Sequence, residues 1–457
     1  MAREHLPIQI GLPRESAWEM EEYPSSRYVA FVCGDELPDP ADAFDALGES
    51  FGVAPQDIAP LPTDADEVQW AFRCRIPSRT SPILVWCERV GAADIPDGEI
   101  ADARWSILVE ALVALTDPLL DAARLGAIVA RAGGTRTRLM LNPDLGIVYR
   151  IDEMKRLFLA KRAGEFLDER HLFRVEIGAR DRANGPFWLT TVGLHRVARP
   201  EIEMLEIPAD ELHAALAMVD AIAARFVSTP LPAAGVPFEA GAGLSVALVP
   251  VDEVIETISP EMPGGPSDRA RLPRAPRAAI CAAGKRGAFR PVWVPPHEVL
   301  QKLTRGESGL LRSERETEVQ ERLARLEWPA FLDALSTRAQ HPARQFYAKV
   351  AETRAETHAE THAETRADEI VDKVVEHVWL EVVEANGDSL RGRKLGADGL
   401  RAGAVDASTA SAANSLVTAP IARLSDWVVT GVITPKAASP IEVGPQTASL
   451  LTACMHA

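Results

Sequence analysis

Strand-type and helix-type hydrophobic spacing alternate along the first half of this chain. Residues 28–32 form a short run of strand-favouring residues, and Asp39-Pro40 then supplies a helix N-cap and a first helical residue. Phe44, Leu47 and Phe51 follow at the spacing of one helix face. The alternation predicts an α+β fold of several domains, in which amphipathic helices cover mixed or antiparallel sheets.

Further patterns place a first α+β domain at residues 1–134. Strand-type runs occupy 68–76 and 83–90, and Gly133-Gly134 marks the end of the domain. Helical spacing recurs at Trp105, Leu108, Leu112 and Leu115, which predicts a helix between the strand-type run 83–90 and Gly133-Gly134.

A second α+β domain is predicted at residues 135–262. Its strand-type runs are 173–177, 187–194 and 201–204. A closing helix is predicted from an apolar stripe spaced by four and three residues, which consists of Leu212, Leu216, Val219, Ala223 and Phe226.

The composition changes after residue 262. Residues 263–290 are rich in proline, glycine and arginine, which predicts a basic linker or exposed loop. Ser313 and Glu316 form a capping-box pattern, so the linker continues into a helical spacer that ends near residue 340. A small β-rich domain is predicted at 341–457, with Asn386-Gly387 as a hairpin turn.

Charge and cysteine usage exclude several classes of protein. The chain has 49 Lys and Arg against 66 Asp and Glu, a net charge of −17, so general nucleic-acid binding is not expected. Its 5 cysteines show no paired spacing, which favours reduced thiols in the cytoplasm. Met1 to Pro13 lack an apolar signal region, and charged residues interrupt the apolar stretch 105–130, so neither a signal peptide nor a membrane span is expected.

Residues 351–366 form four tetrads, AETR-AETH-AETH-AETR. His358 and His362 stand four apart, a spacing that places two metal ligands on one helix face. The residue after the first histidine is Ala359 where the zinc-protease pattern needs glutamate. The repeat is therefore interpreted as a solvated low-complexity insert, with the two histidines as weak metal candidates.

Nucleotide and hydrolase motifs fail at single positions. Residues 279–286 lack both the leading glycine and the final Ser or Thr of a phosphate loop. Residues 243–247 miss the last glycine of a nucleophile elbow, and residues 241–246 miss the third glycine of a dinucleotide fingerprint. No cofactor is expected.

The candidate catalytic residues lie in the second domain. Glu201 and Glu203 stand two apart on a predicted strand and share one face, which suits acid–base chemistry or a cation but is more typical of a solvent-exposed edge. An enzyme would use these carboxylates together with Trp188, His195 and Arg196.

Two stretches resemble known bacterial families. Residues 376–382 (EHVWLEV), a glycine-bearing hairpin and Asp426-Trp427 resemble domain of unknown function 2314 over the last quarter of the chain. Residues 187–203 resemble domain of unknown function 4026, although Thr190 and Val192 replace that family's two histidines. Neither resemblance implies an activity, and the substitutions leave no histidine role to transfer.

These observations favour a non-catalytic protein-binding or scaffold protein with an unidentified protein partner. The alternative is a hydrolase-like enzyme whose polar site lies in the second domain. Trp379 and Trp427 lie in apolar strand-type runs and are expected to pack in the core of the last domain.

Overall fold

The fold is known from a computed structural model that describes most of the chain. The described residues are 15–20, 22–63, 67–91, 100, 102–162, 164–180, 185–255, 258–270, 272, 275–286, 290–340, 345–355, 373–394 and 416–430. The chain divides into two compact units, 1–313 and 314–457. The boundaries predicted at 134 and 262 lie inside the first unit.

The first unit opens with a seven-stranded sheet. Its strands are β1 Ser26–Cys33, β2 Gln56–Pro60, β3 Val68–Arg75, β4 Ile83–Arg89, β5 Ala103–Ala111, β6 Thr137–Asn142 and β7 Ile147–Arg150. They are ordered β2-β3-β4-β5-β1-β6-β7, and every neighbouring pair is antiparallel. The strand predictions at 28–32, 68–76 and 83–90 are confirmed.

Three helices cover one face of this sheet: α1 Pro40–Phe51, α2 Pro118–Ala132 and α3 Ile151–Phe158. Asp39 caps α1 by accepting a hydrogen bond from the Ala41 amide at 2.8 Å, and Asp117 caps α2 by accepting from the Leu120 amide at 3.0 Å. In both helices a proline follows the cap, where its missing N–H costs nothing. The helix predicted after Asp39 is confirmed.

The helix predicted from Trp105 is wrong, because this segment is strand β5. Ile107 and Val109 point into the core at strand spacing, and the strand pairs with β1 on one side and β4 on the other. Leu108, on the opposite face, is apolar too. A central strand that is apolar on both faces gives a nearly continuous hydrophobic run, which periodicity alone does not separate from a buried helix.

A second sheet follows, with strands β8 Arg174–Ala179, β9 Phe187–Val192, β10 Glu201–Ile207, β11 Pro237–Gly241, β12 Leu244–Pro250, β13 Arg277–Arg286 and β14 Arg290–Val294. The order is β11-β12-β13-β10-β9-β8, and β14 also pairs with β13. The β10–β13 pair is parallel and the other pairs are antiparallel, so the sheet is mixed.

Helix α4, Leu212–Ser228, packs on this second sheet through the predicted stripe. Side chains from both sheets, such as Tyr28 and Ile280, belong to one hydrophobic core, which explains why the first unit is compact across residue 134. The unit also contains three short helices, α5 Val251–Ile255, α6 Pro266–Arg269 and α7 His297–Thr304.

The segment 263–290, expected to be a linker, instead contributes α6 and β13. Strand β13 lies between β12 and β10, and Ala278 and Ile280 are buried. The physical reason is that a short apolar run, residues 278–283, lies within this arginine- and proline-rich segment. Burial of the run stabilises a strand even though the residues around it are typical of a loop.

The second unit contains helices α8 Glu314–Leu326 and α9 Trp328–Ser336, and strands β15 Gln345–Ala355, β16 Lys373–Ala385, β17 Ser389–Lys394, β18 Leu416–Pro420 and β19 Leu424–Thr430. The strands form an antiparallel sheet in the order β18-β17-β16-β15-β19. The turn at Asn386-Gly387 is confirmed. The α+β prediction is thereby confirmed for the chain as a whole.

The two tryptophans of the second unit differ in environment. Trp427 is 4% exposed, and its ring centroid lies 5.4 Å from that of Phe331 of α9. Trp379 is only half-buried, because Val378 and Leu380 on either side take the core positions of β16. The expectation of a core tryptophan is wrong for Trp379. His358 and His362 lie outside the described residues.

We expect Trp427→Ala to lower the free energy of unfolding of the second unit by about 3–5 kcal/mol, because it leaves a large cavity beside Phe331. Trp379→Ala serves as the matched control and should cost much less, since part of its ring already contacts solvent. Urea denaturation of the full-length variants, followed by circular dichroism, measures both. Equal losses in the two variants would contradict this assignment of the core.

Candidate functional site

Glu203 of β10 lies at the centre of a buried polar cluster. Its side chain is inaccessible to solvent, and both carboxylate oxygens accept hydrogen bonds. Trp188 Nε1 donates to Oε2 at 2.9 Å, and Arg277 Nη1 donates to Oε1 at 2.8 Å. Arg269 binds both oxygens, Nη1 donating to Oε1 at 3.1 Å and Nη2 to Oε2. Two guanidinium groups thus enclose one carboxylate.

The strand register explains how these groups meet. Glu203 stands opposite Thr190 on β9, two residues from Trp188, while Arg277 begins the neighbouring parallel strand β13. Arg277 Nη1 also donates to Thr190 Oγ1 at 3.1 Å. The threonine that replaces a family histidine is therefore a hydrogen-bond acceptor in this cluster.

Arg269 reaches Glu203 from α6, and a glycine allows the approach. The Arg269 guanidinium carbon lies 5.7 Å from the centre of the Trp188 ring. Gly264 has φ +78°, and a Cβ there would come within 2.7 Å of the Trp188 ring. Asp268 accepts from the Gly264 amide at 2.9 Å, which fixes the turn before α6. The hydrogen bonds of Arg269 to Glu203 therefore hold residues 264–269 against the sheet.

Glu201 forms a separate buried cluster with His195. Its Oε2 accepts from Thr191 Oγ1 at 2.6 Å, and Oε1 accepts from the Gly193 amide at 2.9 Å and the His195 amide at 3.2 Å. His195 Nδ1 also hydrogen-bonds to Oε1. Gly193 has φ +120°, and a Cβ there would come within 2.5 Å of the Leu172 carbonyl oxygen, so the turn that aims these amides requires glycine.

Arg196 points away from both clusters. Its Nη1 lies 3.2 Å from Asp144 Oδ2 and also donates to the Ser25 carbonyl oxygen. Arg27 binds the other oxygen of Asp144 at 2.9 Å. Arg196 therefore connects the two sheets of the first unit, and its described hydrogen bonds and ion pair go to Ser25 and Asp144 and to neither Glu201 nor Glu203.

The structure corrects the expected environment of the two glutamates. They stand two apart on β10 as expected, but they are 1% and 0% exposed, so the solvent-facing edge is wrong. Each carboxylate has its own set of donors, so the structure places the two glutamates in separate clusters. The physical reason is that buried carboxylates need several donors each, and the arginines and turn amides supply them.

The side chains of both glutamates are buried in the described part of the chain. The described pocket, an open cavity of about 460 Å³, lies elsewhere and includes Asp102, Arg138 and Arg150 of the first sheet region. Among the described residues, no group of three or more His, Cys, Asp or Glu is suited to hold a metal ion. Both clusters connect separate parts of the chain through buried hydrogen bonds.

Sequence reasoning missed Arg269 and Arg277 because both lie in the segment that was expected to be a linker. A signal for Arg277 exists: it precedes the apolar run 278–283, so it begins a strand. For Arg269 the sequence contains no such signal, because only the folded chain brings α6 to Glu203.

A third buried carboxylate, Glu169, holds the end of the first unit. Ser228 Oγ donates to it at 3.1 Å and Ser313 Oγ at 2.9 Å. Burial raises the pKa of Glu169, and the two hydroxyls offset only part of that effect. Burial alone would also raise the pKa of neighbouring Asp168, but hydrogen bonds from His171 and Arg170 bring it down to about 2.

We expect Glu203→Gln to destabilise the protein by about 3–5 kcal/mol, because it leaves two largely buried guanidinium groups without a counter-charge. The matched control is Glu176→Gln, which removes an exposed ion pair with Arg174 and should cost under about 1 kcal/mol. Urea denaturation gives both values. In addition, trypsin should cleave Glu203→Gln faster after Arg269 and Arg277. If both substitutions cost the same, the cluster does not hold the fold.

Glu169→Gln should change how stability depends on pH. The folded pKa of Glu169 is raised, so the wild-type carboxyl contributes stability below its unfolded pKa of about 4.3 and loses it as the pH rises through the folded value. The free energy of unfolding of wild type minus that of the variant should therefore fall from about pH 4 upward. Denaturation at a series of pH values measures it, and a difference independent of pH would refute it.

Comparison with known families identifies the middle of the chain. Residues 176–281 match the family model described as Protein of unknown function (DUF4026) C-terminal. The match contains Glu201, Glu203 and Arg277, and it supports the resemblance predicted for residues 187–203. No curated protein and no solved structure matches the chain. The matched segment, which covers less than half of the chain, is thus similar to a family of unknown function.

Proposed function

We propose that this protein is a non-catalytic protein-binding module that acts in the cytoplasm without a cofactor. The buried clusters support the absence of catalysis, because Glu201 and Glu203 already accept hydrogen bonds on every carboxylate oxygen and neither contacts solvent. A general base must come within hydrogen-bond reach of the proton that it takes from its substrate, and both carboxylates are buried. The enzyme alternative would require both clusters to open.

The observation that carries the proposal is the outer face of the third sheet, the face turned away from α8 and α9. Half-buried Trp379 lies on it, and Val383, which is 45% exposed, follows four residues later at a bulge in β16. Across β17, Leu416 is 46% exposed, and the Glu381–Arg393 ion pair at 3.6 Å lies between them. Tryptophan and arginine within an apolar patch are enriched where proteins bind other proteins.

The backbone of the same sheet offers a second binding element. Residues 351–355 pair with 373–377 beyond the last pairs that β15 makes with β19 and β16 makes with β17. Within the described chain no other strand pairs with this two-stranded ribbon. A ribbon edge that no described strand pairs with is the kind of element to which a partner segment adds a strand.

The cysteines support a reducing compartment. Cys33, Cys74, Cys87 and Cys281 are free and buried. Burial raises the pKa of these thiols, to about 11 for Cys74 and about 12 for Cys281, so none of the four is a reactive nucleophile. In the described residues no helix has the length and apolarity to cross a membrane. The resemblance of the last quarter of the chain to domain of unknown function 2314 stays a prediction.

A photo-crosslinking experiment on the full-length chain tests the proposal. A photoreactive amino acid at position 383 should give a discrete adduct with one other protein in cells, while the same label at position 236, an exposed valine of the first unit, should not. Trp379→Ala should weaken that adduct at least about tenfold without unfolding the unit, because it removes the largest side chain of the patch.

Two results would overturn the proposal. The first is equal labelling from positions 383 and 236, which would mean that the patch has no preferred partner. The second is a turnover of any substrate that Glu201→Gln abolishes while the protein stays folded. If the adduct persists in the Glu203→Gln variant, binding of the partner does not depend on the buried cluster around Glu203.

A further inference from the structure

The hairpin turn between β16 and β17 contains an asparagine followed by a glycine, Asn386-Gly387. Both residues and the next one, Asp388, are exposed to solvent. The turn is held on two sides. The Asn386 amide donates to the Ser389 carbonyl oxygen at 2.9 Å, and the Ile421 amide donates to the Asp388 carbonyl oxygen at 2.9 Å. The asparagine is therefore fixed in conformation and in contact with water.

The side-chain oxygen of Asn386 accepts three hydrogen bonds. The Asp388 amide donates to Oδ1 at 2.9 Å, the Ser389 amide donates at 2.8 Å, and Ser389 Oγ donates at 3.4 Å. These donors draw electrons away from Cγ, the carbon of the side-chain amide, and make it a better target for a nucleophile. They also stabilise the negative charge that forms on Oδ1 when a nucleophile attacks Cγ.

The backbone nitrogen of Gly387 is the nucleophile nearest to Cγ along the chain. Among the described residues its N–H group makes no hydrogen bond, so no partner has to be given up before it reacts. A Cβ added at Gly387 would meet no atom within 4 Å, so the space around the residue is open. Glycine also has no side chain that hinders the approach of its nitrogen to Cγ. The turn thus joins an activated carbonyl carbon to an unhindered nitrogen.

We infer that Asn386 is a self-modification site, at which the turn converts asparagine into aspartate and isoaspartate. Hydroxide takes the proton of the Gly387 amide, and the nitrogen forms a bond to Asn386 Cγ. The bond between Cγ and Nδ2 then breaks, and the side-chain nitrogen leaves as ammonia with a proton from water. Attack within one chain needs no bimolecular encounter, which favours this closure of a succinimide ring.

Hydrolysis of the succinimide completes the reaction. Water adds to one of the two ring carbonyl carbons, and the bond from that carbon to the nitrogen breaks. Cleavage at Cγ gives aspartate, and cleavage at the former main-chain carbonyl carbon gives isoaspartate. Nothing is oxidised or reduced, and water is the only co-reactant. Either product adds one negative charge to the turn.

Isoaspartate changes a link within the second unit. The Asn386 carbonyl oxygen accepts a hydrogen bond of 3.0 Å from Nε1 of Trp328, the first residue of α9, which is 3% exposed. In isoaspartate the main chain runs through the former side chain, so this carbonyl group becomes a carboxylate outside the main chain. The turn also gains one methylene group, and turn length fixes the register of a hairpin. The modification therefore weakens the link between α9 and the hairpin, independently of any partner on the third sheet.

Another asparagine of the chain provides an internal reference. Asn142 is buried, and the next residue is Pro143, whose nitrogen carries no hydrogen, so this reaction is blocked there. Asn184 also precedes a glycine but lies outside the described residues. The modified position must therefore be located by mapping peptides and not from the mass of the whole chain.

Incubation of the full-length protein in mildly alkaline buffer, followed by peptide mass spectrometry, tests the inference. The peptide that contains Asn386 should gain about one dalton and separate into an aspartate and an isoaspartate form, while the peptide with Asn142 stays unchanged. A synthetic peptide of residues 383–392 is the reference without the fixed turn. We expect the folded chain to react at least about threefold faster than this peptide, because the turn amides stabilise the charge on Oδ1.

Gly387→Ala is the matched variant. It keeps the asparagine, and alanine fits because the added Cβ meets no atom and Gly387 does not have a positive φ. The reaction should slow about tenfold or more, because the methyl group hinders the nitrogen. Circular dichroism verifies that the variant is folded. A folded chain that reacts no faster than the synthetic peptide, or a Gly387→Ala variant that reacts as fast as wild type, would overturn the inference.

The link to α9 has its own measurement. Ion exchange separates the modified chains, which carry one more negative charge, from the unmodified ones. The isoaspartate form should unfold at a lower urea concentration than the unmodified protein, whereas Gly387→Ala incubated in the same way should keep its midpoint. Equal midpoints for the isoaspartate and unmodified forms would overturn the proposed effect on α9.

Discussion

The buried carboxylate of Glu203 is the constraint on which much of the second sheet depends. A charge with no solvent contact is tolerated only if donors surround it, and here the donors come from three places in the chain: Trp188 on β9, Arg277 on β13 and Arg269 on α6. Parallel pairing of β10 with β13 brings Arg277 alongside. The carboxylate therefore selects one arrangement of the sheet and one position of α6.

Such a cluster favours specificity more than stability. The desolvation cost of three charged groups offsets much of their attraction, whereas any alternative packing would leave at least one of them buried and unpaired. Glu201 follows the same logic with neutral donors, the hydroxyl of Thr191 and the amides of the turn that begins at Gly193. Both clusters lie within residues 176–281, the segment that matches the family model.

Local signals predicted much of the fold, and the failures have physical causes. Asp39-Pro40 and the stripe of α4 identify helices because capping and periodicity act within a few residues. Strand β5 was mistaken for a helix because neighbours cover both of its edges and both faces are apolar. Strand β13 was mistaken for a linker because its composition resembles a loop.

The candidate site was less predictable than the fold. Sequence placed Glu201 and Glu203 on one strand correctly, but burial of a side chain depends on what packs over the strand. The arginine that neutralises Glu203 from α6 lies 66 residues away in sequence. Burial of Trp379 was equally hard to predict. Alternate residues of a strand face opposite sides, and in an apolar run the sequence does not show which set faces the core. Here Val378 and Leu380 face the core, so Trp379 does not.

Strand β1, like β5, is apolar on both of its faces. Its alternate residues Tyr28 and Ala30 face the helices, yet Val29 and Phe31 on the opposite face are also apolar. An antiparallel sheet with one solvated face normally alternates apolar and polar residues. In this chain the second face of the strand is also covered from within, because Ile100, which lies outside the strands, packs in one buried cluster with Val29, Phe31 and Leu139. Burial on both faces is therefore why the polar positions expected of a half-solvated strand are missing from β1.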